Sequence, residues 1–387
     1  MKLSKALPVL FLIMFLVMVG FGIIIPVLPF YAEELGASPT ELGLLMAVYS
    51  LMQLIFAPIW GRVSDRIGRK PVLMIGIVGL AISFFILAIS SKLWMLFVAR
   101  IIGGILSAAN MPTVTAYVAD ITSDEERGKG MGIIGAATGL GFIFGPAIGG
   151  VFSKIDIHMP FYISGGLSVV TLLLVLIVLK ESIHLSSDRD ESKVGERIRV
   201  VRGPLSMLFF LQFFISVSLS GLEATFAYFA AQKAGLDAVT LGYIFMIMGL
   251  ASALVQGTMG FWTKRFGEAA IIQIGIIISA IGFGLILFTQ TFTTAAIFLA
   301  VFGVGNGVIR PSVSSLLTKR MKGRHGVVTG YLSSYDSLGR IIGPVLGGLL
   351  YSVAIGLPYI SGIVLSLVAF ILFRMFISQA SMKLEGR

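Results

Sequence analysis

The chain has 387 residues, 57% of them hydrophobic and only 12% charged, with a mean hydropathy of +0.98. Soluble domains carry about 25% charge, so a soluble globular protein is excluded and a membrane protein is expected. There is no cysteine, which excludes disulfides, thiolate metal sites and a cysteine nucleophile.

A hydrocarbon core about 30 Å thick needs about 20 apolar residues per helix. Twelve such stretches follow one another, at 7 to 30, 41 to 61, 71 to 90, 94 to 118, 130 to 153, 159 to 179, 204 to 231, 239 to 262, 270 to 289, 293 to 318, 326 to 351 and 355 to 377. The first follows Lys2 and Lys5, is too long for a signal-peptide core and has no small-residue cleavage pattern after it. It is expected to be a retained span. Stretches such as "VVTLLLVLIVL" (Val169 to Leu179) are apolar on every side rather than alternating, which excludes barrel strands and makes the fold class all-α.

The net charge of +10 has a topological origin. Lys and Arg crowd into alternate loops and both tails, while the opposite loops hold Lys92, Lys154 and Lys233. By the positive-inside rule both termini are cytoplasmic, and no nucleic-acid partner is expected. His158, His184 and His325 fall in separate loops, so no metal site is expected either.

The one long polar segment, Lys180 to Gly203, divides six spans from six. This organises the chain as an N-terminal half, 1–180, a cytoplasmic linker, 181–203, and a C-terminal half, 204–387. One constant offset superimposes the halves. It brings Gly36 onto Gly235, Leu42 onto Leu241, Gly61 onto Gly260, Gly68 onto Gly267 and Pro112 onto Pro311. The matches are mostly Gly and Pro, where backbone geometry is demanding. A second repeat, Gly-x8-Gly-x3-Gly-Pro-x2-Gly-Gly, occurs at Gly132, Gly141, Gly145, Pro146, Gly149 and Gly150, and again at Gly330, Gly339, Gly343, Pro344, Gly347 and Gly348. Small residues along one face allow close helix packing. Two such seams are expected where the halves meet.

The loop "GRVSDRIGRK" between the second and third spans combines Gly61 and Gly68 with Asp65 and the basic group Arg62, Arg66, Arg69 and Lys70. These charges can pair with helix ends or with carboxylates across the gap between halves, as a conformational latch; the plainer reading is that they only set topology. The second copy has Lys264 in place of Asp65, so any latch is asymmetric.

Within hydrocarbon the acids are Glu223 and Asp336 and the bases Arg100, Arg310 and Arg340. Charge at that depth is costly and faces a cavity or a partner. At 1.5 Å per residue, Arg310 lies about 12 Å and Asp336 about 15 Å from the inner ends of their spans, hence nearly level, and Arg340 follows Asp336 at i+4. A structural salt bridge and a role in proton coupling both fit Asp336. Glu223 lies in the outer half of span seven, where Arg100 of the other half is its candidate counter-charge. A contact made in one conformation and broken in another would let Glu223 exchange a proton for a cationic substrate; a fixed ion pair is the alternative. Among the aromatic residues of span seven, Phe226 is spaced to lie beside Glu223 and is the candidate substrate contact, with Arg310 a further one. Gly103-Gly104 and "GVGNG" match no nucleotide loop, so ATP-driven transport is not expected.

Two parallel six-helix halves resemble the major facilitator architecture. "GRVSDRIGRK", "RIIGG" (Arg100 to Gly104) and the span-five glycine-proline run resemble the drug:proton antiporter branch of that superfamily, over the whole chain. "GFGIIIPVLPFY" and "IRPSV" resemble, more narrowly, Gram-positive exporters of quinolones and cationic dyes. The resemblance implies a functional acid at Glu223 and a relay role for Arg100. It also implies a second acid three residues before the span-ten arginine, where this chain has Gly307; Asp336 is the candidate replacement. The expected function is a non-enzymatic, proton-coupled multidrug efflux antiporter of the bacterial cytoplasmic membrane. It needs no cofactor beyond the coupling proton and acts on drugs and dyes as a monomer in the lipid bilayer. A single-solute exporter and a non-transporting sensor or scaffold are the rival readings.

Overall fold

A computed structural model describes residues 6–123, 126–182, 205–320 and 325–385, with side chains described outside 320–329 and 380–385. Of the expected linker, 183–203 lies outside the described residues. The chain is helical: α1 Ala6–Ile24, α2 Leu28–Glu34, α3 Pro39–Ile67, α4 Arg69–Ala88, α5 Leu93–Ser107, α6 Asn110–Ile121, α7 Arg127–Ser153, α8 Met159–Val178, α9 Ser206–Ala234, α10 Ala238–Ile286, α11 Phe292–Arg320, α12 His325–Val353 and α13 Leu357–Glu385. Among the described residues ten helices are long and apolar enough to cross a membrane, with Leu93–Ile121 counted as one and Ala238–Ile286 counted as one despite the break at Gly267. The chain is a multi-pass membrane protein.

Three departures from twelve plain spans have local causes. The first span ends at Ile24, and a turn at 25–27 that contains Pro26 separates it from α2. The fourth is interrupted between Ser107 and Asn110, with Pro112 placed in the first turn of α6, where a missing N–H costs nothing. Spans eight and nine follow each other with no loop between them, the helix being broken at Gly267, φ 78°. The glycines with positive φ among the described residues are Gly36, Gly68, Gly235 and Gly267, which are two of the pairs that the sequence offset superimposes. The repeat therefore preserves left-handed turns that only glycine adopts without strain. The same offset pairs the helix starts. Ser38 opens α3 with a capping box to Glu41, and Asp237 opens α10 by accepting from the Thr240 N–H at 2.9 Å. Burial pushes the Asp237 carboxyl up, but the Thr240 N–H and hydroxyl hold it below the usual range.

The chain falls into two compact units, one of Met1–Leu185 with Gly235–Met246, the other of Ser186–Ala234 with Ile247–Arg387. In the first, α7 lies on α1 at close quarters. A Cβ on Gly141 would stand 2.4 Å from Met18 Cβ, on Gly145 2.7 Å from Gly22 Cα, and on Gly149 1.9 Å from the Ile23 carbonyl oxygen. In the second, α12 lies on α9 in the same way. A Cβ on Gly339 would meet Ser216 Cβ at 2.5 Å, on Gly343 the Val217 carbonyl at 2.4 Å, and on Gly347 Gly221 Cα at 3.0 Å. These close approaches join helices of the same half, which corrects the expectation for Gly141, Gly145 and Gly149 and for Gly339, Gly343 and Gly347. Gly150 packs differently, its Cβ falling 2.8 Å from the carbonyl of Ala238, at the start of α10, which the first unit takes in. Gly132 and Gly330 are a second correction. A Cβ on either would meet nothing within 4 Å, because both precede the close crossing by more than two helical turns. Pro146 and Pro344 sit inside α7 and α12 without ending them.

Candidate functional site

In the second unit, α9, α11 and α12 bring four charged residues of the membrane interior into one cluster. Asp336 is its centre. Its Oδ2 lies 3.3 Å from Arg340 Nε, one turn away on α12, and 3.5 Å from Arg310 Nη1 on α11. Its Oδ1 accepts from Ser216 Oγ at 2.6 Å and from Gln212 Nε2 at 3.2 Å, both on α9. The depth arithmetic and the i, i+4 spacing thus placed Asp336 with both arginines. Sequence reasoning missed Gln212 and Ser216. Their i, i+4 spacing on a helix otherwise rich in Phe was the available signal, since a glutamine at membrane depth needs a partner as a charge does.

Glu223 lies further along α9, half-buried. Among the described residues it has no hydrogen bond or ion pair, and its electrostatic neighbours are Arg340 and Asp336. Arg340 is coupled to both acids. Two carboxylates and two guanidinium groups make the cluster neutral when all are ionised. Arg310 keeps about half of its side chain exposed, so it can meet a ligand. Phe226 is fully buried and has no surface to offer a ligand without rearrangement. At Gly307, which belongs to α11, a side chain would run into α10: its Cβ would be 2.2 Å from Ser252 Oγ and 3.1 Å from Ser252 Cβ. A side chain there would have to displace Ser252, and the acid that meets Arg310 comes from α12 instead, as Asp336.

Arg100 belongs to the first unit. It is buried, with its guanidinium 4.1 Å above the Tyr49 ring and its Nε without a partner among the described residues. Tyr49 in turn bonds Ser107 Oγ at 2.8 Å and receives Gln53 Nε2 at 3.2 Å. Arg100 is therefore held over an aromatic face, an arrangement for which Tyr49, one tyrosine in a long apolar span, gave no sequence signal.

The latch loop is knotted into the first unit. Arg69 is 1% exposed and donates to Asp65 at 2.6 Å, Ser64 Oγ at 2.7 Å and Asp120 at 3.0 Å. Glu181, the first residue of the expected linker, accepts from the Arg69 and Lys70 backbone N–H groups at 2.8 and 3.0 Å and so closes the start of α4. Gly68 has φ 109°, and a Cβ there would lie 2.6 Å from Glu181 Oε2. Lys70 Nζ bonds the Leu176 carbonyl at 2.8 Å. The Arg66 side chain is exposed and bonds none of the described residues, and a Cβ on Gly61 would meet only Pro112 Cβ within 4 Å, at 3.9 Å. Asp120 and Glu181 were not foreseen, because nothing local in the sequence links them to the loop. Glu181→Ala leaves two N–H groups uncapped and is expected to lower stability by about 0.5–2 kcal/mol, read as a fall in the thermal midpoint of the purified protein.

The family model described as Major Facilitator Superfamily matches residues 10–222 and 208–385. Multidrug resistance protein 2 of Bacillus subtilis is 32% identical over 354 residues, covering 89% of this chain and 88% of that protein. Quinolone resistance protein NorA of Staphylococcus aureus is 29% identical over 371 residues, covering 94% and 95%. Among solved structures, a bacterial homologue of the human lysosomal transporter Spinster aligns with a TM-score of 0.82 at 16% identity, over 97% of this chain and 98% of that one. The human organic anion transporter MFSD10 aligns with a TM-score of 0.71 at 23% identity, over 96% and 100%; both share the fold. The paired glycine turns, the two glycine seams and these matches together show that the chain belongs to the Major Facilitator Superfamily.

Proposed function

We propose that the protein is a proton-coupled multidrug efflux antiporter, exporting lipophilic and often cationic compounds by rocker-switch alternating access. The observation that carries this reading is Glu223, a half-buried carboxylate at membrane depth with no ion pair among the described residues, beside one acid and two arginines whose surplus positive charge it balances only when ionised. Such an acid can bind a proton or a cationic ligand. The multidrug and quinolone resistance proteins among its relatives support a small-molecule cargo. The crowding of Lys and Arg into alternate loops supports cytoplasmic termini in a bacterial plasma membrane. Nothing in the reading calls for a cofactor, a metal, a nucleic acid or a second protomer.

The test is flux in proteoliposomes holding the purified chain. With an imposed pH gradient, several unrelated lipophilic cations are expected to move against their own gradients, each releasing protons in exchange. Uptake that persists undiminished after an ionophore collapses the pH gradient and the voltage overturns the coupling, and transport of one solute alone overturns the multidrug reading.

A further inference from the structure

The exchange at Glu223 makes no use of the end of α10 that leads into the break at Gly267. There Phe261 is 60%, Trp262 42% and Phe266 51% exposed, and the three rings form one cluster. Phe261 meets Trp262 edge-on with centroids 5.3 Å apart, and Trp262 stacks on Phe266 at 5.8 Å. Trp262 Nε1 donates to Thr258 Oγ1, one turn back, at 3.2 Å and so holds the indole in place. Two cations accompany the rings. The Arg265 guanidinium lies 5.5 Å from the Phe266 centroid. Lys264 and Arg265 are exposed and make no ion pair among the described residues.

The repeat shows that the fold does not require this patch. The offset that superimposes the halves puts Arg62 on Phe261, Val63 on Trp262 and Asp65 on Lys264. It also puts Arg69 on Glu268 and Asp120 on Lys319, so the second unit keeps the ion pair of the first with the signs exchanged. Arg69 takes up Asp65 as well. Glu268 instead turns to Lys319 and accepts from Ser315 Oγ at 3.2 Å, which leaves Lys264 open.

On the helix, Phe261 and Arg265 lie at i+7 and i+11 from Leu254, with Trp262 and Phe266 beside them, and Leu254 is exposed on the same face. From Arg265 to Leu254 is about 16 Å along the axis, about half the thickness of the hydrocarbon core. The face is therefore one leaflet deep, apolar toward the midplane, aromatic near the interface and cationic at its edge. A phospholipid carries the matching order along its length, from acyl chains to phosphate. A lipophilic cation would be repelled by Lys264 and Arg265, and a soluble anion has no chains for Leu254 and the rings.

We propose that this face binds one anionic phospholipid of the cytoplasmic leaflet, with its phosphate at Lys264 and Arg265 and its chains along Trp262, Phe261 and Leu254. The leaflet assignment rests on the cytoplasmic termini proposed above, which put Gly267 on the inner side.

Substituting Trp60→Phe and Trp94→Phe leaves Trp262 as the one tryptophan. The purified full chain with both changes is placed in phosphatidylcholine vesicles that carry brominated phosphatidylglycerol or brominated phosphatidylcholine in both leaflets. Quenching of Trp262 is expected to give phosphatidylglycerol a relative binding constant about twenty- to thirtyfold higher, about fivefold for each cation. Lys264→Gln with Arg265→Gln is expected to bring the two lipids level while the thermal midpoint stays unchanged. Rings that only sit at the interface give no headgroup preference. Equal quenching by the two lipids, or a preference that survives the double substitution, overturns the site.

Trp60 donates to the Ile105 carbonyl at 2.7 Å, so a second reading keeps all three tryptophans. Native mass spectrometry of the wild-type chain, taken from an equimolar mixture of the same two lipids without bromine, is expected to show retained phosphatidylglycerol that Lys264→Gln with Arg265→Gln removes. Equal retention of both lipids overturns the site as well. Because the labelled lipid is in both leaflets, the quenching does not depend on the direction of insertion. Termini found outside the cell would overturn the assignment to the cytoplasmic leaflet, and the quenching would still decide whether the face takes an anionic lipid.

Discussion

Glu223→Gln is expected to abolish drug-driven proton release in proteoliposomes while leaving the protein folded. The amide keeps the shape of the carboxylic acid and removes its ability to ionise, so neither the exchangeable proton nor the negative charge remains. Because Glu223 has no ion pair or hydrogen bond among the described residues, the substitution breaks no bond there. The chain should still fold, although Arg310 and Arg340 then share Asp336 as their counter-charge among the described residues. Proton release measured with a pH-sensitive dye should fall to the level of protein-free liposomes, and release at the wild-type rate would remove Glu223 from the mechanism.

The sign of the coupling follows from the charge count. With both acids and both arginines ionised the cluster is neutral. A proton on Glu223 takes it to one positive charge, and so does a monovalent cation bound beside an ionised Glu223. Both at once would leave two uncompensated charges in a medium where each is costly. Proton and drug are therefore alternatives at this cluster, and alternation between them is antiport. Glu223→Asp keeps the charge with a shorter reach and should retain coupled release at a reduced rate, which separates loss of ionisation from loss of side-chain volume.

How much of this was legible beforehand depended on whether a residue's task is local. Gly36, Gly68, Gly235 and Gly267 were visible as repeat partners because a positive φ is a property of one residue and its neighbours. Asp336, Arg310 and Arg340 were visible because helical rise and the i, i+4 rule set their levels before any packing is known. Partners supplied by distant helices were not visible. Asp120 and Glu181 reach Arg69 and the start of α4 from 51 and 112 residues away, and no periodicity announces such a contact. The glycine-proline run was read correctly as a packing element, but most of it seats a helix of its own half and only the end of the first copy, at Pro146 and Gly150, packs on the start of α10. A stripe of small residues says that something comes close without saying which helix. Gly132 and Gly330 share the motif's spacing but not its crossing point.

That crossing point makes the largest stability prediction. On Gly149 a single methyl group would sit 1.9 Å from the Ile23 carbonyl oxygen, a backbone atom that cannot rotate aside as a side chain could. Gly149→Ala must push α7 off α1, and the displacement also opens the contacts of Gly145 with Gly22 and of Gly141 with Met18. Overpacking of this kind costs about 1–3 kcal/mol at a site that can yield, and this site cannot yield locally, so the loss should reach the top of that range or exceed it. In the same helix Gly132→Ala meets nothing within 4 Å and gains the helix preference of alanine, about 1 kcal/mol in its favour. The two substitutions add the same atom to the same helix, so composition and hydrophobicity cancel in the comparison. Thermal unfolding of both variants in detergent, followed by intrinsic fluorescence, should show Gly149→Ala several degrees below the wild type and Gly132→Ala at or above it. Equal midpoints would mean that α1 and α7 do not depend on this close approach.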